Sequence, residues 1–128
     1  MEKIKQFENA LKSLEDVLEM EYSDVIRDSV IKRFEYCFDL AWKNIKIFLY
    51  DYHGVVCNSP KMCFRKFFQL GYFSETETED SIKMTDSRNS IVHIYLEKLA
   101  NKTYADIKNN YCNLLKKIFK TVKNQTQE

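Results

Sequence analysis

The sequence predicts an all-α fold, an antiparallel up-and-down four-helix bundle with one extra short helix, and three observations predict it. Only two glycines and one proline occur in 128 residues, too few turn formers for a β-rich chain. Apolar residues make up 45% and charged residues 30%, and the apolar ones recur at steps of three and four, the period of amphipathic helices. Helix-start and helix-stop residues punctuate the chain where that period breaks.

Ile4, Phe7, Leu11, Leu14 and Leu18 mark the first helix, over about residues 3 to 21. Ser23 or Asp24 can cap the second, whose apolar set runs in phase from Ile26 through Phe34, Phe38, Trp42 and Ile45 to Tyr52, a rod of about 40 Å. Asp51 to Asn58, with Gly54, breaks the pattern. Ser59-Pro60 then opens a short third helix that ends at Leu70, with Gly71 placed for a left-handed cap. The polar run Ser74 to Asp80 reads as a loop, and Met84, Ile91, Val92, Tyr95, Leu96 and Leu99 as a fourth helix over about 80 to 100. Thr103, with Asp106 three residues on, reads as the cap of a fifth carrying Tyr104, Ile107, Tyr111, Leu115, Ile118 and Val122. The length fits a single domain spanning residues 1 to 128.

A formal net charge of +1 argues against a general electrostatic binder of nucleic acid, so any RNA or nucleotide contact must be local. Charge is nonetheless uneven: residues 97 to 128 hold seven lysines against three acids. Cys37, Cys57, Cys63 and Cys112 form no C-x-x-C pair and have no histidine at zinc-finger spacing, so they read as reduced thiols, with neither a metal site nor a disulfide framework indicated. The charged stretch after Met1 and the lack of an 18-residue apolar run lead to the expectation of a cytoplasmic chain, neither exported nor inserted in a membrane.

The informative segment is Arg88 to Tyr95. On a continuous helix Arg88 falls in the middle of the apolar stripe, with Val92 about 40° and Tyr95 about 20° away, while Asn89 and His93 stack along the stripe's edge. An arginine aimed at a core must find an acid, an anion or a partly wet interface. Glu35 and Asp39, four residues apart on the second helix beside Trp42, are the acids within reach. From geometry alone Arg88 is a buried ion-pair partner or a functional cation.

The spacing R-x4-H-x-Y, here Arg88, His93 and Tyr95 with Asn89, resembles the signature of HEPN domains. Phe34-Glu35-Tyr36-Cys37-Phe38-Asp39-Leu40-Ala41-Trp42-Lys43 is similar to a segment of the nucleotidyltransferase substrate-binding branch of HEPN proteins. Ser59-Pro60 with Arg65, Phe67 and Gly71 resembles that branch's third segment. Two positions depart from it: Ser81 stands where the branch commonly has tryptophan, and Ile94 where it has threonine.

The resemblance implies a homodimer whose partner is a minimal nucleotidyltransferase, in many such pairs a ribonuclease toxin with its antitoxin, and it implies no metal or other cofactor. Arg88, Asn89 and His93 take the catalytic roles, and Tyr95 matches a tyrosine that accepts AMP from the partner enzyme. Glu35, Asp39 and Trp42 support the site. A non-catalytic nucleotide-binding subunit of the transferase complex is the alternative, and a purely structural dimer a third.

Overall fold

The computed structural model describes residues 2–93 and 96–126, and among these every regular element is helical. The elements are α1 (Glu2–Leu18), α2 (Asp24–His53), α3 (Pro60–Gln69), α4 (Glu75–Asn89), a 3₁₀ turn (Ile91–His93), α5 (Glu97–Asp106), a π-helical turn (Ile107–Tyr111) and α6 (Cys112–Thr126). Backbone dihedrals stay right-handed helical from α5 through the π turn into α6, so these three form one rod. The four-helix bundle is α1, α2, α4 and the α5–α6 rod, with α3 as the extra short helix.

Cross-helix contacts fix the directions. Arg33 of α2 bonds Ser13 of α1, and Asn44 bonds the carbonyl of Lys3, so α1 and α2 run antiparallel. Lys116 meets Glu15 and Lys123 meets Glu8, which sets α6 antiparallel to α1. Lys117 meets Glu77 and Tyr111 meets Ser87, which sets it antiparallel to α4. Phe34, Phe38, Ile45, Phe48, Phe64, Phe67, Met84, Ile107 and Leu115 fill the core between them.

Ser23 caps α2 by accepting from the Ile26 amide, and Gly54 ends it at φ 64°, its N–H reaching the carbonyls of Leu49 and Tyr50. Ser59 and Pro60 open α3 as expected, and Gly71 takes φ 88° just beyond it. Arg27, in the first turns of α2, is buried and gathers Asp24, Asp28, Glu97 and Asn101, tying the start of α2 to the start of α5.

Three expectations are corrected. The run Ser74 to Asp80 is helix, because Ser74 and Glu77 form a capping box, each side chain bonded to the other's backbone N–H, and acids in the first turn suit the helix dipole. The expected helix over 80 to 100 breaks after Asn89: Ser90 caps it, turning its hydroxyl onto the Asp86 carbonyl, and Val92 and Leu96 stand exposed rather than in a core stripe. The last rod starts at Glu97, and Thr103, expected as its cap, is buried inside α5, because Ala100, Thr103, Tyr104 and Ile107 already form one buried helical stripe.

The reading of all four cysteines as reduced thiols is also overturned. Cys57 and Cys63 form a disulfide, since the turn into α3 brings their Cα atoms to 5.2 Å, within bridging distance. Cys37 and Cys112 remain buried free thiols, and burial pushes the Cys37 thiol up to about 12.

The capping box can be tested by titration. Burial of Glu77 raises its pKa, but its bonds to Lys117 and to Ser74 outweigh burial and hold the carboxyl below its ordinary value. Its contribution is therefore complete above the ordinary glutamate range and is lost as pH falls through the lower folded value. Glu77→Ala should cost about 1 kcal/mol at neutral pH, as for loss of the acidic half of a capping box. Urea unfolding of the two proteins should show that gap closing in acid, and an unchanged gap would refute this role for Glu77.

Candidate active site

The face that α4 turns inward is small and polar. Ser81 and Thr85 are buried with Met84, and each hydroxyl donates to the carbonyl four residues back, Ser81 to Glu77 and Thr85 to Ser81, both at 2.8 Å. Ser81, at the position where the resembling branch has tryptophan, thus needs no outside partner. Arg88 follows on this face, in the last turn, where a cation is favoured by the helix dipole.

Arg88 Nη2 donates to Asp39 Oδ1 at 2.6 Å, and its guanidinium lies 5.5 Å from the centre of the Phe38 ring. The Arg88 and Asp39 side chains are 29% and 32% exposed, so the pair is neither sealed in the core nor free in solvent. Of the two acids expected near Arg88, Asp39 reaches it, while Glu35 lies 3.9 Å from Lys32. Trp42, one turn beyond Asp39 on α2, is half-buried with Lys46 5.9 Å over its ring.

Asn89 is exposed at the last position of α4. The backbone of His93 closes the 3₁₀ turn, while its side chain lies outside the described residues, as does all of Tyr95. The structure therefore joins Arg88 to Asp39, with Asn89 adjacent and Trp42 nearby. Because α4 stops at Asn89, the continuous-helix angles between Arg88 and the residues beyond no longer apply.

Two neighbours escaped the sequence reading. Phe38 counted only as core, though its ring faces the arginine as well. Lys61 at the start of α3 reaches Asp86 at 2.6 Å, two residues before Arg88, and nothing in the sequence marked that pairing.

The site is thus built on a helical bundle whose longest member, α2, holds Arg88 at the end of α4. The chain belongs to the family described as nucleotidyltransferase substrate binding protein like, which residues 2–124 match. Among solved structures it is similar to a Thermus thermophilus protein with 31% identity and a TM-score of 0.85, covering 91% of this chain and 98% of that one. It shares its fold with the tri-AMPylated Shewanella oneidensis HEPN toxin in complex with MNT antitoxin, at 17% identity and TM-score 0.76, over 96% and 95% of the two chains. A Haemophilus influenzae protein with the fold of a substrate binding domain of a nucleotidyltransferase matches at 18% identity and TM-score 0.78, over 94% and 98%. No curated protein matches the chain.

A double-mutant cycle on Arg88→Ala and Asp39→Ala should return a coupling of about 1 kcal/mol, as for a partly exposed, well-aligned ion pair. Zero coupling would mean that the pair does not hold Arg88 in place.

Proposed function

We propose that this chain is the HEPN subunit of a two-component toxin–antitoxin module, a homodimeric, metal-independent endoribonuclease whose partner is a minimal nucleotidyltransferase. The observation that carries the reading is Arg88 itself, a cation at the open end of a helix rather than within a core. Among the described residues Asp39 accepts one hydrogen bond from its guanidinium, so most of the fork stays free to donate to a phosphate. The family match and the toxin complexes that share the fold support the partner.

In this reading Arg88 stabilises the charge that builds on the scissile phosphate, and Asn89 donates to the same group. His93 takes the proton of the RNA 2′-hydroxyl as its oxygen attacks phosphorus; the new O2′–P bond forms, the P–O5′ bond breaks, and the imidazolium so formed returns a proton to the departing 5′-oxygen, leaving a 2′,3′-cyclic phosphate. Two-fold symmetry in the dimer would bring a second Arg88, Asn89 and His93 to one cleft. Transfer of AMP to Tyr95 would add a negative phosphodiester that competes for Arg88 and shuts the site. A second reading, a nucleotide-binding subunit of the transferase complex, draws on Trp42, a half-buried ring one helical turn beyond Asp39 on α2, on which a base can stack. Cytoplasmic action fits the absence, among the described residues, of any helix long and apolar enough to cross a membrane.

Purified protein, with chelator present and partner absent, should cleave RNA. Arg88→Ala and His93→Ala should each lose that cleavage while keeping the wild-type helical circular dichroism. Binding of ATP without cleavage by wild type would favour the second reading, and a monomer in light scattering would rule out the shared cleft.

Incubation with the partner transferase and ATP should add one or more AMP masses, and the modified protein should be inactive. Tyr95→Phe should abolish the increase. An unchanged mass with an active transferase, or modification at Tyr104 or Tyr111 instead, would remove the switch.

A further inference from the structure

The Cys57–Cys63 disulfide closes a short loop around Ser59-Pro60, the cap and first residue of α3, and both cysteines are fully buried. That first turn of α3 is also where the helix reaches the Arg88 site. Lys61 bridges to Asp86 on α4 at 2.6 Å. Phe64, the residue after Cys63, packs edge to face on Phe38 at 6.0 Å, and Phe38 is the ring that faces the Arg88 guanidinium. Two short routes thus run from the disulfide towards Arg88, an ionic one through Lys61 to Asp86, two residues before it on α4, and an aromatic one through Phe64 and Phe38 to its guanidinium.

We propose that Cys57 and Cys63 form a redox-responsive clamp: the oxidised pair fixes the first turn of α3 and, through Lys61 and Phe64, holds Arg88 in register with Asp39, and reduction releases it. In the cytoplasm expected from the sequence, disulfides are rare and those that form are usually transient rather than permanent staples. The reductant is of the dithiol class. One of its thiolates attacks a cysteine sulfur, the Cys57–Cys63 bond breaks and a mixed disulfide forms; its second thiol then displaces the protein, so the reductant leaves oxidised and both cysteines leave as thiols, two electrons and two protons richer. Because both cysteines are buried, the exchange needs local opening of the α2–α3 connection. Cys37 and Cys112 stay outside the couple, buried on α2 and α6. The clamp holds for whatever reaction Arg88 serves.

Protein purified without reductant, then denatured and treated with iodoacetamide, should carry two adducts, at Cys37 and Cys112, and four after dithiothreitol. Dithiothreitol added to the native protein should speed amide exchange about tenfold or more in α3 and in the last turn of α4, leaving α1 and α6 unchanged. Cys63→Ser, or Cys57→Ser if the first does not fold, should exchange fast with or without dithiothreitol. Four adducts without reductant would overturn the clamp. So would faster exchange confined to α3, since the bond would then staple that helix without reaching Arg88.

Discussion

The fold hangs on one constraint: α2 must bury a wide arc of its circumference. Of its 30 residues, 12 are buried, from Arg27 to Leu49, and α1, α3, α5 and α6 all pack on it. That leaves one outward arc, which carries Glu35, Tyr36, Asp39, Trp42 and Lys46. Asp39 sits where this arc meets α4, so its carboxylate can stay partly wet and still hold a neighbour's arginine. A residue one step further into the buried arc would have to bury its charge at a cost of several kcal/mol. One step outward, its bond to Arg88 would be lost to solvent.

α4 is fitted to that arrangement. Its inward face offers Ser81 and Thr85, which satisfy themselves within the helix, so it packs through Met84 with little apolar drive. Its placement then leans on polar contacts at both ends: the capping box with Lys117 at the start, and Lys61–Asp86 with Arg88–Asp39 at the finish. A helix held this way is positioned by its ends, and the reactive-looking end is one of them.

What the sequence made legible follows the same physics. The long α1 and α2 stripes, the Ser59-Pro60 start and the Gly71 stop were readable because each rests on local period or local turn chemistry. Asp39 was readable as a partner of Arg88 because a stripe-centred arginine demands an acid, although the stripe itself proved interrupted. The break after Asn89 was hidden, since Ile91, Val92 and Leu96 keep helical spacing across it and only tertiary placement shows Val92 and Leu96 exposed. The disulfide was hidden because its spacing matches no redox motif, and it depends on how the turn into α3 folds back. Arg27 was hidden between Ile26 and Val30, on a stripe that read as apolar.

Arg27 and Arg88 together turn α2 into a ruler. At one mark an arginine of α2 receives Glu97 and Asn101, just after the R-x4-H-x-Y segment; at the other, an acid of α2 receives Arg88, the first residue of that segment. The marks are twelve residues apart, about 18 Å along the axis. The peptide between Arg88 and Glu97, at most about 30 Å when extended, bridges them with slack. The separation of Arg88 and Glu97 is thus set by a length measured on another helix. Inserting one residue between Arg27 and Asp39 would part the two marks by about 1.5 Å and twist them by about 100° without altering a motif residue.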